Sequence, residues 1–284
     1  MQLQVALALF LDQLRADGRS RHTVAQYNRQ VAKLARWGAS AGLSCEIEEI
    51  DHVALARFMG SPDALLAADG RERSPATVNA LRSSLRAFFA YLADADLLPK
   101  SPARLIKRAR CGAAPPRGLS ERESEALMTT LAAAPGPLAQ RDCALFSLLL
   151  ATGIRVGSAV GLEVRDLDLD DGVMELRVMK GGRAMRVALG EEIVQRLAAL
   201  VEGRDAGPVF MGREGLALSR RHVARRFREW VVAAGIKRSV TAHSLRHTFA
   251  LAMYERTRDV FAVQRALGHR SIASTVGYAS GALM

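Results

Sequence analysis

The sequence predicts a mainly α-helical protein of two domains, with one small β-hairpin in the second. Apolar residues recur every three or four positions along most of the 284-residue chain, which is the spacing of a buried helical face. Aromatic residues make up only 5%, so the core must consist mostly of Leu, Ala and Val, a composition that favours helices. Gly112 and Pro115-Pro116 break this pattern and predict a linker over 109–118, between domains at 1–108 and 119–284.

The first domain is predicted to be a four-helix unit. Its second helix carries one apolar stripe from Val24 to Trp37, and Ser74-Pro75 is a capping residue followed by Pro at the first helical position. The four predicted helices cover 3–16, 21–38, 51–58 and a segment that begins at Ser74-Pro75. On the last helix, Asn79, Arg82 and Arg86 lie away from the apolar stripe and are candidates for contact with a phosphate backbone. An ordinary solvated face explains them equally well.

The second domain is predicted to be mostly helical around the hairpin. Ser120 and Glu123 form a capping box, and Gly153 ends an apolar helix over 137–152. Alternating runs at 173–178 and 183–188 flank Lys180-Gly181-Gly182 and predict the hairpin. Further helices are expected near 190–202, 219–234, 243–256, 258–267 and 271–279. The 219–234 helix presents an arginine face for DNA phosphates, formed by Arg221, Arg225 and Arg228.

The charge of the chain favours a polyanionic partner. The net charge is +11 and the isoelectric point about 10.4, which is typical of nucleic-acid-binding proteins. Basic residues outnumber acidic ones by 16 to 11 in 1–110 and by 24 to 18 in 111–284, so both domains are expected to contact the same polyanion.

The expected location is the bacterial cytoplasm, in association with the nucleoid. Cys45, Cys111 and Cys143 are scattered without a pairable framework, which suits a reducing compartment. No apolar run reaches the roughly 18 residues of a membrane span. The start of the chain lacks a basic leader and is interpreted as an amphipathic helix.

Short motifs in the second domain carry side chains suited to chemistry at a phosphodiester. Cleavage without metal needs cationic groups for the nonbridging oxygens, a nucleophile, a proton acceptor and an acid for the leaving oxygen. Arginine suits those oxygens because its guanidinium is planar, always charged and bidentate. The candidates are Arg155 in the TGIR turn, Lys180 at the hairpin tip, His243 and Arg246 in HSLR, His269 in LGH, and Tyr278 in the last helix.

His247 lies four residues after His243, a spacing that also occurs in zinc sites. Neither the glutamate of an HExxH motif nor a third ligand is nearby. We therefore interpret His247 as a packing residue and predict no metal site.

Taken in order, TGIR, MKGG, HSLRHTF, LGHRSI and GYAS closely resemble the motifs of the tyrosine recombinase (phage integrase) family. The resemblance covers roughly 118–280. The first domain is more loosely similar to the helical core-binding (SAM-like) domain of that family. Five ordered motifs on the expected local structures are specific, whereas each motif alone is common.

The resemblance implies that Tyr278 attacks a scissile phosphate, forms a 3′-phosphotyrosyl link and frees a 5′-hydroxyl. Arg155 and Arg246 would hold the nonbridging oxygens, and His243 would accept or shuttle the tyrosine proton. His269 would donate a hydrogen bond to the phosphate, and Lys180 would be the general acid. The resemblance also implies double-stranded DNA as substrate, no cofactor, a homotetramer in the synaptic complex formed from monomers or weak oligomers, and accessory DNA-bending proteins.

The chain departs from the family pattern at two places. The family turn usually reads TGxRxSE, and Ser158 replaces its acid, which is expected to loosen support of the site without abolishing the chemistry. Six residues follow Tyr278, where many relatives carry a longer tail that docks on a neighbouring protomer. Assembly is therefore expected to use another surface or to be weak without DNA.

Two alternatives remain open from the sequence. A type IB topoisomerase uses similar residues, but the nine-residue spacing from His269 to Tyr278 and the small helical first domain favour a recombinase. A catalytically inactive DNA-binding relative is the other alternative, and the presence of Tyr278, Lys180 and both arginines argues against it.

Overall fold

The computed structural model describes residues 1–111, 118–177, 184–212, 215–269, 271–272 and 275–281, with backbone alone for 279–281. The chain divides into two compact units, Met1–Ala113 and Ala114–Met284. Both are mostly helical, and the second contains one small antiparallel sheet. The predicted fold class is confirmed.

The first unit is a helical bundle with an aromatic centre. Phe10 meets Tyr27 and Phe88 edge-on, with ring centroids 5.4 and 5.6 Å apart, and Phe58 and Phe89 are fully buried beside them. Capping side chains set the helix starts, because the hydroxyls of Ser20 and Ser74 and the carboxylate of Asp51 accept backbone N–H groups. Its helices are α1 (Leu3–Ala16), α2 (Arg21–Ser40), α3 (His52–Gly60), α4 (Pro62–Leu65) and α5 (Pro75–Asp94), with 3₁₀ turns at Ile47–Glu49 and Pro102–Leu105.

The second unit packs its helices around the buried helix α7. Phe146 of α7 meets Phe227 of α10 edge-on with centroids 5.3 Å apart, and most residues of α7 are buried. The predicted capping box of Ser120 and Glu123 starts α6. The helices are α6 (Glu121–Ala133), α7 (Pro137–Thr152), α8 (Val156–Ala159), α9 (Glu191–Val201), α10 (Arg220–Ala233), α11 (Ala242–Thr257), α12 (Val260–Leu267) and α13 (Val276–Gly281), with a 3₁₀ turn at Val164–Asp166.

The sheet has the order β1-β2-β3, formed by β1 (Leu167–Asp168), β2 (Val173–Leu176) and β3 (Met185–Ala188). All pairs are antiparallel, with Met174 opposite Val187 in the predicted hairpin. Met174 and Leu176 point inward and bury the inner face of β2 against the helices. The tip of the hairpin, which includes Lys180, lies outside the described residues.

An ion cluster fastens α10 to α7. The carboxylate of Asp142 is 1% exposed and accepts hydrogen bonds from Arg141, Arg226 and the indole of Trp230. Each proton donor therefore offsets part of the cost of burying that charge. The guanidinium of Arg226 is therefore paired with carboxylates of its own unit.

The start of the second unit is fastened to α11. The backbone N–H of Leu119 donates to the hydroxyl of Thr248 at 2.7 Å. A Cβ at Gly118 would come within 2.9 Å of the Thr248 Cα, so this close approach requires glycine. Arg238 donates to the Gly118 carbonyl at 2.5 Å and to both carboxylate oxygens of Glu123 at 2.6 Å, and its guanidinium lowers the pKa of Glu123 to about 2. We call residues 118–119 and these contacts the entry strap.

Helix α13 differs from the prediction, because it begins at Val276 and not at 271. The N–H of Thr275 donates to the Ile272 carbonyl at 2.7 Å in a turn. The Thr275 hydroxyl lies 2.9 Å from Nδ1 of His269, which is outside the helix. That engagement fixes Thr275 as a turn residue before the helix.

Within the described ranges, no helix combines the length and apolarity needed to cross a membrane.

Candidate active site

Helix α11 brings three candidate side chains to one face. His243, Arg246 and His247 stand at positions i, i+3 and i+4, which face the same way on an α-helix. The hydroxyl of Ser244 accepts the N–H of Thr241 at 3.2 Å and supports the helix start. The orientation of this face is therefore fixed at its first turn.

Arg246 joins the ends of two other helices. The residue is 3% exposed, and its guanidinium donates from Nη1 to the Gly153 carbonyl at 2.6 Å and from Nη2 to the Leu267 carbonyl at 2.7 Å. These carbonyls end α7 and α12, so Arg246 draws together the turns that carry Arg155 and His269. Burial and the nearby charge of Arg155 lower the pKa of Arg246 to about 10, which leaves it charged at neutral pH.

Arg155 follows the turn at Gly153, whose φ of 62° ends α7 in the left-handed region. Its charge lowers the pKa values of Arg246, His243 and His269, so all four groups share one electrostatic field. Among the described residues, no carboxylate lies within 4.0 Å of Arg155 or Arg246. Two guanidiniums without an acidic partner there are chemically suited to binding an anion.

Ser158, at the position of the family acid, is partly buried in α8. Its backbone N–H donates to the Arg155 carbonyl at 2.8 Å. The Arg155 backbone is therefore supported from this helix.

His269 follows Gly268, which ends α12 with φ of 59°. Its Nδ1 lies 2.9 Å from the hydroxyl of Thr275, which is fully buried and fixes the ring. Desolvation and the charges of Arg246 and Arg155 lower the pKa of His269 to about 4. The ring is therefore neutral at pH 7, and the nitrogen that Thr275 does not hold remains for another partner.

Tyr278 is 3% exposed and packs against Ala250, Val263 and Leu267. Its hydroxyl lies 2.8 Å from Nδ1 of His247. Burial raises the pKa of Tyr278, and the charge of Arg246 opposes this shift. The phenol is therefore protonated at neutral pH.

The interpretation of His247 as a packing residue is corrected by this contact. Desolvation, with smaller contributions from His243 and Arg246, lowers the pKa of His247 to about 4. The rings of His243 and His247 are edge-on with centroids 4.6 Å apart, and His243 is the more exposed. The HSLRH spacing was the available signal, since it places both imidazoles on the helix face that carries Arg246.

The structure brings together five of the six predicted site residues: Arg155, His243, Arg246, His269 and Tyr278. The sixth, Lys180, lies outside the described residues. Across the described part of the chain, no group of three or more His, Cys, Asp or Glu side chains could hold a metal ion.

The expectation that Asn79 belongs to a DNA-facing surface is corrected. Its side chain is 3% exposed and bonds both the N–H and the carbonyl of Ala109, at 2.9 and 2.8 Å. Those backbone groups come from a segment 30 residues away. Arg82 is half-buried and donates to Asn79, which leaves Arg86 as the exposed member of the three.

The arginine face of α10 is exposed at Arg221, Arg225 and Arg228. Arg225 pairs with Glu229 at 2.8 Å, and Arg228 donates to the Ala224 carbonyl at 3.3 Å. Both contacts are local and solvent-exposed, so a phosphate could replace them at little cost.

The fold and the site define a class of DNA-strand-exchange proteins, and comparison with known proteins identifies it. The profile of the phage integrase family matches residues 117–282, and that of the phage integrase N-terminal SAM-like domain matches residues 7–96. The chain belongs to the phage integrase family, whose members are the tyrosine recombinases.

The chain is similar to curated bacterial relatives over most of its length. Tyrosine recombinase XerC of Xanthomonas campestris pv. campestris (strain B100) is 33% identical over 264 residues, which are 91% of this chain and 78% of the relative. Tyrosine recombinase XerC of Pelobacter propionicus is 31% identical over 265 residues, 91% of this chain and 84% of the relative.

Solved structures share the fold at low identity. A lambda integrase(75–356) dimer bound to a COC′ core site matches with a TM-score of 0.74 and 20% identity, covering 96% of both chains. The XerH site-specific recombinase bound to palindromic difH substrate, a post-cleavage complex, matches with a TM-score of 0.74 and 23% identity, over 93% of this chain and 78% of that one.

Proposed function

We propose that this chain is a site-specific recombinase that cleaves and rejoins double-stranded DNA through a 3′-phosphotyrosyl bond on Tyr278. The observation that carries the assignment to Tyr278 is its position in the field of Arg246, which lies next to Arg155; neither arginine has an acidic partner among the described residues. A phosphodiester would be the negatively charged partner of these guanidiniums. A tyrosine hydroxyl in the same field is then the available nucleophile.

In the proposed mechanism, Arg155 and Arg246 bind the nonbridging oxygens and stabilise the charge that grows on them in the transition state. Their preorganisation supports this role, because Arg246 is already held by two backbone carbonyls. His269 donates to the phosphate from the ring nitrogen that Thr275 does not hold. Lys180 is the proposed general acid for the 5′-oxygen, and exposed His243 is a proton shuttle.

The bond energy of the cleaved phosphodiester is kept in the phosphotyrosyl link. A 5′-hydroxyl from a partner duplex then attacks that link and restores the DNA backbone without an external energy source. Exchange between two duplexes needs four protomers, so we propose a homotetramer in the synaptic complex and monomers or weak oligomers without DNA. Accessory DNA-bending proteins and the nucleoid are the expected setting.

The proposed DNA surface uses arginines of both units. Arg86 and, in part, Arg82 contribute from the first unit, and the exposed face of Arg221, Arg225 and Arg228 contributes from the second. Such phosphate contacts set position and affinity without reading sequence.

A covalent trapping assay tests the assignment of Tyr278. The full chain is incubated, with chelator and without ATP, with duplexes from its own genetic neighbourhood that carry nicks near candidate sites. The short fragment released at a nick diffuses away, which makes cleavage irreversible. We expect a denaturation-resistant protein–DNA adduct that is absent in Tyr278→Phe, because the variant keeps the ring but has no nucleophile.

The affinity of Tyr278→Phe for the same DNA is the control and should stay within about twofold of the wild type. An adduct that persists in Tyr278→Phe would assign the nucleophile to another residue. Tight binding with no adduct on any such duplex would contradict the catalytic proposal.

A further inference from the structure

The contact between Tyr278 and His247 has no place in the mechanism given above. The hydroxyl oxygen of Tyr278 and Nδ1 of His247 are 2.8 Å apart, and Tyr278 is buried while His247 is partly buried. This is the distance of a well-formed hydrogen bond. It links the proposed nucleophile to a titratable nitrogen through one proton.

We propose that His247 positions the hydroxyl of Tyr278 and accepts its proton when Tyr278 attacks the scissile phosphate. This inference rests on the proposed function, since it concerns the same nucleophile. Geometry favours His247 over His243 as the immediate acceptor, because His247 holds the hydroxyl directly. The ring of His243 stands edge-on to that of His247, with centroids 4.6 Å apart, and His243 is exposed.

The protons and bonds of the step balance. The Oη–H bond of Tyr278 breaks as the Oη–P bond forms, and the proton moves to Nδ1 of His247, which becomes imidazolium. The P–O bond to the 5′-oxygen breaks, and that oxygen takes a proton from the general acid. In rejoining, the 5′-hydroxyl returns its proton to the general acid as it attacks the phosphorus, and the leaving tyrosine oxygen takes its proton back from His247.

Bound DNA makes the His247 imidazole a stronger base than it is in the DNA-free site. The charged and titratable groups that face His247 are His243 and Arg246 on its own helix, His269 after the end of α12 and Tyr278 on α13. Burial of the ring disfavours the imidazolium most, and the charges of His243 and Arg246 add to this effect. A phosphodiester anion on Arg155 and Arg246 offsets the charge of Arg246 and favours proton uptake. Tyrosine activation is thereby coupled to occupancy of the anion site.

The test compares three histidine variants of the full chain on a nicked duplex that gives the Tyr278 adduct. In His247→Asn, the amide oxygen can accept the hydroxyl near the position of Nδ1, but it cannot take up a proton at neutral pH. We expect the single-turnover cleavage rate at saturating DNA to fall by about 10²–10⁴-fold, the usual contribution of a positioned base. DNA affinity and far-UV circular dichroism should stay at wild-type values.

His52→Asn is the matched control, because His52 is exposed at the start of α3 in the other unit. Its cleavage rate should equal that of the wild type. His243→Asn tests the competing assignment of the acceptor. A rate in His247→Asn within about threefold of the wild type, or a large loss confined to His243→Asn, would overturn the proposal.

Chemical rescue separates proton acceptance from positioning. His247→Ala leaves a space beside Tyr278, and added imidazole should restore cleavage in a concentration- and pH-dependent way that requires Tyr278. Loss of rate in His247→Asn without rescue of His247→Ala would overturn the acceptor role. If the wild-type chain itself forms no adduct, the proposed function fails, which is a result distinct from failure of this inference.

Discussion

At the scale of single residues, the neutrality of the site histidines has a consequence for stability. The pKa values of His247 and His269 are about 4 in the folded chain, against 6.5 for an ordinary imidazole. Between these pH values the unfolded chain binds protons that the folded chain does not, so stability rises with pH in that window. The free energy of unfolding should therefore fall as the pH is lowered from 6.5 towards 4.

Urea unfolding of the full chain at steps from pH 7.5 to 4.5, followed by far-UV circular dichroism, measures this dependence. The double variant His247→Asn/His269→Asn should show a shallower decline, whereas His52→Asn should keep the wild-type slope. Equal slopes in all three proteins would contradict the assigned neutrality. Glu123 contributes little in this range, because the stability that its depressed pKa provides is lost mainly as the pH falls below its unfolded value of 4.5.

Residue chemistry was predictable where a motif fixes local geometry, and it was missed where the contact is distant in sequence. In the TGIR and LGH turns, a glycine that ends a helix predicts where the following arginine or histidine lies. The partner of His247 lies 31 residues away, and that of Asn79 lies 30 residues away. No periodicity reports such a contact, because the intervening turns determine it.

At the scale of elements, the end of α7 controls where Arg155 and Arg246 lie. Gly153 combines a left-handed φ of 62° with close packing against Phe249, and its carbonyl holds Arg246. Gly153→Ala would strain the backbone and overlap the ring of Phe249. We expect destabilisation well beyond the ~1 kcal/mol of a left-handed alanine alone, together with loss of DNA cleavage.

Gly235→Ala is the matched control, because Gly235 has φ of 70° and open space around its Cα. Urea unfolding of both variants separates the free-energy cost of a left-handed alanine from the cost of its overlap with the ring of Phe249. A cost for Gly153→Ala equal to that for Gly235→Ala would mean that Phe249 yields to the new methyl group.

The long elements were predictable because their apolar spacing persists over several turns, as in α2 and α5. The two-residue β1 and the four-residue α8 were not predicted, since neither is long enough to show a period. The predicted start of the last helix was wrong because Thr275 is held by His269, which local propensity does not encode.

At the scale of the whole molecule, the positive surplus of both units predicts a shared electrostatic contribution to DNA binding. Each phosphate contact releases condensed counterions, so the logarithm of the binding constant should fall linearly with the logarithm of salt concentration. Arg86→Gln and Arg221→Gln should each reduce the magnitude of this slope by about 1, and the double variant by about 2.

Fluorescence anisotropy of a labelled duplex over a salt series measures these slopes. Arg71→Gln is the control, because Asp69 already balances the charge of Arg71. A slope in the double variant equal to that of the wild type would mean that Arg86 and Arg221 do not contact DNA phosphates.

The entry strap also bears on where the catalytic unit can be cut free. Helix α6 starts at Glu121, yet the chain is already engaged at Gly118, against the backbone of the residue that follows His247. A fragment beginning at the helix would remove the Leu119 N–H that donates to the Thr248 hydroxyl and the Gly118 carbonyl that accepts from Arg238. The catalytic unit therefore includes Gly118, three residues before α6, and a minimal fragment must retain residues 118–120, which belong to no helix or strand.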